Sequence, residues 1–453
     1  MSIYKECDIR GVFGEQLDAS EAVLIGKSIG TILGGKTVVV AGDARNSTRE
    51  LKEQLISGLI SCGCPVIDIG TVATPVLYFA KGFLKTAGSI MVTASHNPAQ
   101  YNGFKLTLGK MPVKPEDIAM VAKLVKSQEF LNVEKQGSLA HKDIRQNYTD
   151  YLKKLVSNTK ALRIVVDCCN GAASEIAPQL LKELGHEVIE LFCSFDGSFP
   201  NRDPNPSTEE NLGVLKAKVL AEKADLGIAF DGDGDRAVFV DNKGRFCEAE
   251  KSFVVLLNHY LKENSSTVVY DAKSSSIVKK TIEKLGSRPI MERSGHAFMK
   301  TTFLKTNSIL AGEVSGHYFF RELGFDDGIY AAIKMAEIVA ESEKTMAELI
   351  DDIEPTVITP DIRIGMSPER VASILVYLKD YANKYQASFL DGVRIEFPKG
   401  WILVRRSVTE PCITIRLEAD NITEAKKINR DIFYDNNSDI YQAIAESLAR
   451  VNH

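Results

Sequence analysis

The sequence predicts an α/β protein of three tandem, similar units with mainly parallel mixed sheets, followed by a smaller α+β unit, the four set around a central cleft. Three observations carry this. One order of elements recurs three times: strand, helix, glycine, strand, then a third strand running into a polar loop. The recurring strands are continuous Val/Ile runs, as expected of parallel strands covered on both faces. Near residue 356 the pattern changes to short strands that alternate with polar residues.

The first copy opens with TVVVAGDAR (37–45), continues through a helix after Arg49 that stops at Gly63, and ends in SIMV and the loop TASHNP. The second opens with RIVVDCCNG (163–171), has a helix ending at Gly185, and runs through LGIAF into DGDGDR (231–236). The third opens with TVVYDAKS (267–274), has a helix ending at Gly286, and runs through SILAG into GEVSGH (312–317). Glycine after each helix is the expected left-handed stop. The last part reads as TPDIRI, a helix from MSPERVAS, the strands VRIEF, WILVRRS and CITIRLEAD, a helix in NITEAKKINRDIF, and a helical tail. The units are expected at 1–150, 151–250, 251–355 and 356–453, with the two-proline segment IEPTVITP (353–360) as a hinge on which the last unit closes like a lid. Ligands of open α/β sheets bind beyond the carboxyl ends of the strands, where all three polar loops fall.

With 453 residues and a net charge of -5, the chain has no general attraction for nucleic acid or a membrane surface, and neither is an expected partner. No apolar run approaches the roughly 20 residues that span a bilayer, and MSIYKECDIRG does not resemble a secretory leader. Eight cysteines without a zinc-type spacing read as reduced thiols of a cytoplasmic protein.

In DGDGDR the carboxylates of Asp231, Asp233 and Asp235 alternate, so a gently curved chain converges them on one point. Hard oxygen donors of this kind suit Mg²⁺. A calcium-binding EF-hand loop is excluded, since Arg236 stands where it needs glycine and Asn242 where it needs glutamate; a solvated acidic turn is the alternative. Pro98 stops the strand before it and leaves Ser95 projecting. No G-x-S-x-G elbow surrounds that serine, so TASHNP by itself is equally a capped turn. A phosphate on Ser95 would add roughly -1.5 to -2 charge and oxygens able to complete a Mg²⁺ shell. Glu313 and Ser315 of GEVSGH can hold vicinal sugar hydroxyls, with His317 close behind, or form a plain turn. Arg405, Ser407 and Thr409 alternate in RRSVTEP and can cradle a phosphate, or guard a sheet edge. Arg10, Lys105, Lys273 and His296 are further lone candidates.

Taken together and in this order, TASHNP, DGDGDR, GEVSGH and RRSVTEP resemble the α-D-phosphohexomutase superfamily over essentially the whole chain. The resemblance implies an isomerase with Ser95 as phosphorylated nucleophile, Asp231, Asp233 and Asp235 holding Mg²⁺ with the phosphoserine, and Glu313 and Ser315 on sugar hydroxyls. It implies Arg405, Ser407 and Thr409 on the non-reacting phosphate. It lines the cleft with Arg10, His96, Lys105, Arg236, Lys273, His296 and His317, and makes Lys105 the general acid/base. The implied reaction is reversible transfer between C1 and C6 of a hexose phosphate, mannose or glucose, through a bound glucose or mannose 1,6-bisphosphate. The implied partner is a small sugar phosphate, and the protein is expected as a monomer or homodimer. Glucosamine phosphate is the alternative substrate, although apolar Val314 and the missing glycine in RRSVTEP point away from it; a non-catalytic sensor or a phosphohydrolase are the readings from other classes. Cys7, before DIRG, and Val408 depart from the superfamily's usual residues.

Overall fold

The structure, a computed structural model, describes residues 2–157, 159–262, 265–407 and 411–451. Its first three sheets share one plan. In the first, Val38–Gly42 lies between Val66–Thr71 and Gly88–Val92, both parallel to it, and Gly88–Val92 turns back into antiparallel Tyr101–Leu108. The second sheet repeats this with Arg163–Asp167 between Glu187–Leu191 and Leu226–Phe230, which turns back into Ala237–Asp241. The third has Thr267–Asp271 between Arg288–Glu292 and Leu310–Gly312, which turns back into Tyr318–Phe320. Each polar motif is therefore the connection of one hairpin at the same place in its sheet, the carboxyl end of the third strand. The sheets are mixed, with parallel interiors, as the sequence predicts.

The continuous apolar runs are buried on both faces: Val38–Gly42, Gly88–Val92, Leu226–Phe230 and Ala237–Asp241 are buried at every position. The helices Thr48–Ser61, Ala177–Glu183 and Ser276–Lys284 are each followed by a glycine in left-handed backbone, Gly63, Gly185 and Gly286. The helices Arg145–Lys153 and Ala249–Tyr260 run through positions 150 and 250, the expected limits of the first three units.

One apolar core runs through all three units, with Ala41 and Met91 of the first, Val166 and Ile228 of the second, and Val268 and Leu310 of the third. The last unit has its own core, including Ile395, Val404, Ile415 and Phe433, under an antiparallel sheet. It meets the third unit through polar contacts. The buried Glu418 carboxylate accepts from Ser275 Oγ (2.9 Å), Ser276 Oγ (2.7 Å), Ser276 N (2.8 Å) and Trp401 Nε1 (2.5 Å). Within the segment 353–360, Val357–Ile358 is a strand paired with Ala419 and Glu418, so the second half of that segment belongs to the last sheet. All eight cysteines are free thiols. Among the described residues no helix is long and apolar enough to cross a membrane.

Candidate functional site

The serine turn is held in an uncommon shape. Ser95 has φ 51, in the left-handed region that costs a non-glycine residue about 1–3 kcal/mol. Its backbone N–H donates to Thr93 Oγ1 (2.8 Å). The guanidinium of Arg45, at the end of the neighbouring strand, donates to four carbonyls of the loop: Ser95 (2.7 Å), Asn97 (2.5 Å), Pro98 (2.7 Å) and Tyr101 (3.0 Å). Arg45 is paired in turn with Asp43 (3.1 Å), and both side chains are fully buried. This turn aims Ser95 Oγ at Asp231, to whose Oδ2 it donates at 2.9 Å.

The three aspartates converge as the spacing predicts. All are 0 % exposed, and one oxygen of each lies within 4.8 Å of the others. The close approach depends on Gly232, since a Cβ there would sit 2.5 Å from the Ser95 carbonyl oxygen. Thr74 ties the loop to the first unit, its N–H donating to Asp233 O (2.8 Å) and its hydroxyl to Asp233 Oδ2 (2.6 Å). Lys105 arrives on the return strand of the serine hairpin, opposite Met91 and so on the same face, which looks toward the second and third units. Its ammonium donates to Asp233 Oδ2 (2.7 Å) and to Asp235 Oδ2. Burial works against charge on Lys105, but Asp233, Asp235 and Asp231 outweigh it and hold its pKa above the usual lysine value. Burial, with Asp233 and Asp235 as neighbours, raises Asp231 well above the carboxylate range. Oδ1 of Asp233 and of Asp235 have no hydrogen-bond partner. Buried carboxylates converging on one point, with Asp233 Oδ1 free of any hydrogen bond, are the donor set that suits a hard divalent cation, so these residues fit Mg²⁺.

The third motif closes the hollow. Arg236 and His317 form a backbone bridge between the second and third units, and Ala237 N donates to Gly316 O (3.1 Å). Arg236 Nε lies 3.7 Å from Asp231 Oδ2, and His317 Nε2 lies 3.2 Å from Asp235 Oδ1. Burial opposes charge on His317, yet Asp235 raises its pKa. Ser315 Oγ is 3.0 Å from His317 Nδ1 and 3.2 Å from Glu313 Oε2, while Glu313 Oε1 has no hydrogen-bond partner. Burial lifts the Glu313 carboxyl to about 7. The His296 ring stacks on His317 at 6.0 Å. His96 Nδ1 is 3.5 Å from Ser95 Oγ, and burial plus the cations Arg236, Arg10 and Lys105 push it well down, leaving a neutral imidazole. Arg10 reaches the serine loop by donating to Asn97 Oδ1 (2.5 Å).

The remaining predicted residues lie at the seam of the third and last units. Lys273 Nζ donates to Asp361 (2.5 Å) and Arg405 Nη1 to Asp391 (2.5 Å), so both cations already have carboxylate partners. Asp391 also accepts from Ser294 N (3.2 Å), two residues before His296, which links this seam to the third loop. Arg405 and Ser407 line a cavity of about 620 Å³ with Arg293, whose guanidinium lies 4.1 Å from the centroid of the Phe298 ring. Thr409 and Val408 lie outside the described residues.

Sequence reasoning missed Arg45 and Asp43, Thr74, Arg293, and the pair Asp326 and Lys300. Asp326 is 0 % exposed, lies 3.8 Å from His317 Nε2 and 3.7 Å from Lys300 Nζ, and has no hydrogen bond on either carboxylate oxygen. The Asp43/Arg45 pair carried a usable signal, because GDAR also stands at the carboxyl end of a buried strand.

Comparison with known proteins covers nearly the whole chain. Models of phosphoglucomutase/phosphomannomutase alpha/beta/alpha domains I, II and III match residues 1–132, 146–244 and 249–356, and the C-terminal domain model matches 367–433. The phosphomannomutase/phosphoglucomutase of Pseudomonas aeruginosa is 39% identical over 435 residues, 94% of each chain. The phosphoglucomutase of Neisseria gonorrhoeae is 36% identical over 436 residues, 94% of this chain and 95% of its own. The crystal structure of a phosphoglucomutase/phosphomannomutase family protein from Burkholderia thailandensis matches with a TM-score of 0.89 at 34% identity, covering 98% of this chain and 97% of that one.

Proposed function

Because the chain belongs to the phosphoglucomutase/phosphomannomutase family, we propose that it is an isomerase moving a phosphoryl group between C1 and C6 of glucose or mannose phosphate. The route runs through a phosphoserine at Ser95 and a hexose 1,6-bisphosphate retained between two transfers. The reading is supported above all by one contact, the 2.9 Å hydrogen bond from Ser95 Oγ to an aspartate of the buried acidic trio.

Ser95, presented by its left-handed turn, carries the phosphoryl group beside Asp231. Its O–P bond breaks as a new O–P bond forms to the free hydroxyl of the bound sugar phosphate. Lys105, held as an ammonium by its carboxylate neighbours, gives a proton to the departing serine oxygen and is restored by the proton of the attacking hydroxyl. Asp231, Asp233 and Asp235 would hold Mg²⁺, which when bound neutralises negative charge on the transferring phosphoryl oxygens. Arg236 adds a fixed positive charge at the same place. Neutral His96 beside Ser95 Oγ can exchange a hydrogen bond with it without adding charge.

Glu313 and Ser315 hold two sugar hydroxyls, while Arg405, Ser407 and Thr409 take the phosphate that is not reacting. Recognition through two hydroxyls tolerates the substrate in either direction, so the bisphosphate turns end for end and returns its other phosphate to Ser95. It also leaves the C2 configuration unread, so both gluco and manno sugars fit. Anchoring the distant phosphate supplies orientation, which lowers the barrier without further chemistry.

A coupled assay with glucose, mannose and glucosamine 1-phosphates tests the reading, with and without Mg²⁺ and a trace of glucose 1,6-bisphosphate. Turnover of the first two, lost on chelation and absent in Ser95→Ala, is the expected result. Mass spectrometry should find the Ser95 peptide phosphorylated and the phosphate removed by substrate. Release of inorganic phosphate without isomer formation would refute a mutase.

A further inference from the structure

A second cavity, of about 630 Å³, opens where the helices Thr74–Phe83, Arg145–Lys153 and His296–Thr306 meet. None of Ser95, Asp231, Glu313 or Arg405 lines it, and it adjoins the proposed reaction through Lys300, whose neighbour Asp326 lies 3.8 Å from His317. Four lysines do, Lys81, Lys110, Lys154 and Lys300. Among the described residues, Lys81, Lys110 and Lys154 have no ion pair and no side-chain hydrogen bond. Lys300 lies 3.6 Å from the centroid of the Tyr78 ring, and the Asp326 carboxylate is 3.7 Å from its ammonium. The single acid on the cavity wall, Asp150, is already engaged by Gln146 Nε2 (2.8 Å) and Lys153 (3.6 Å). Lys81, Lys110 and Lys154 thus gather around one space without a carboxylate partner, and like charges so placed repel each other unless something negative enters.

The same wall carries an aromatic shelf. Phe79 stacks on Phe83 with centroids 5.4 Å apart and planes 19° from parallel, and the Tyr151 ring is 5.3 Å from Phe79. Phe83 is 49% exposed, with Lys142 Nζ 5.8 Å from its ring centroid as a further cation beside the shelf. A lone anion would satisfy the lysines and leave the shelf bare; a planar ring joined to phosphates satisfies both. The cavity volume lies in the usual range for organic ligands, and junctions between domains are favoured places for such sites.

We propose that this cavity binds a nucleoside phosphate, its base against Phe83 and Phe79 and its phosphates among Lys81, Lys110 and Lys154. The site goes beyond the proposed mutase reaction and does not depend on it.

The test is calorimetric titration of ADP into full-length Ser95→Ala protein whose cleft is already filled with saturating glucose 1-phosphate. The expected result is one ADP bound per chain despite the sugar phosphate. Affinity should fall about tenfold or more when Lys110→Glu and Lys154→Glu are combined. Phe83→Ala should weaken ADP and leave pyrophosphate unchanged. All three changes are at exposed positions outside the cleft, and in the otherwise wild-type protein they should leave mutase turnover intact, which also reports correct folding. Absence of saturable ADP binding, its loss when sugar phosphate is present, or indifference to the lysine reversals would each overturn the proposal. Equal affinity for pyrophosphate and ADP would overturn it as well, because the shelf would then contribute nothing.

Discussion

Replacing Arg45 with methionine keeps most of the side-chain volume and removes the four carbonyl bonds that the guanidinium gives to the serine turn. Breaking a buried ion pair costs about 3–5 kcal/mol. Asp43 keeps the hydroxyl bonds of Thr48 and Thr93, both 2.6 Å, so the lower end, about 3 kcal/mol, is expected for stability. The effect on activity follows separately. Ser95 sits in backbone that it would leave by itself at a gain of about 1–3 kcal/mol, and four carbonyl bonds from Arg45 oppose that release. Without them, the population with Ser95 Oγ on Asp231 should fall by about 5- to 150-fold. Since Glu313 and Ser315 are untouched, the loss should appear in kcat on glucose 1-phosphate, with KM within about twofold. Urea unfolding measures the first effect and a coupled mutase assay the second. Arg45→Lys, which restores charge but not the fork of donors, should recover part of the stability and little of the kcat. A folded Arg45→Met protein with wild-type kcat would show that the guanidinium does not position the nucleophile.

Gly232→Ala places a methyl group 2.5 Å from the Ser95 carbonyl; the two loops must part, at about 1–3 kcal/mol, and mutase turnover should collapse while the far-ultraviolet circular dichroism stays unchanged. Burial raises Glu313 to about 7, so its carboxyl is protonated below that pH and ionised above it. If it must accept a sugar hydroxyl, kcat/KM climbs with pH through about 7 and levels off. Glu313→Gln should flatten that limb, and an unchanged acid limb would remove Glu313 from substrate binding. Glu418→Ala strands the Trp401 indole and the Ser275 and Ser276 donors at the seam, each at about 1–3 kcal/mol; small-angle scattering should then show the last unit displaced from the other three.

Much of the architecture could be read from local patterns. Strands buried on both faces are continuous apolar runs, and the chain must leave each of them at a polar loop, so TASHNP, DGDGDR and GEVSGH could be placed at strand ends before any contact was known. The alternation of Asp231, Asp233 and Asp235 is likewise a property of neighbouring residues, as is the stop of each helix at Gly63, Gly185 and Gly286. Pairings between units were not legible. Lys105 and Lys273 read as lone candidates, yet one lies among aspartates 128 and 130 residues away and the other against Asp361, 88 residues away. Thr74 and Asp326 carry no motif of their own, and their importance comes from what faces them.

The amino-acid sequence by itself therefore determined the repeat, the strand ends and the residue types of every loop, because periodicity and turn chemistry act over a few residues. Only the tertiary structure decided that Ser95 meets Asp231, that Lys105 shares its charge with Asp233 and Asp235, that Lys273 is paired with Asp361 across the last seam, and that Arg405 is paired with Asp391 within the last unit. Those choices rest on packing three sheets over one apolar core, which fixes distances between groups that no local pattern relates.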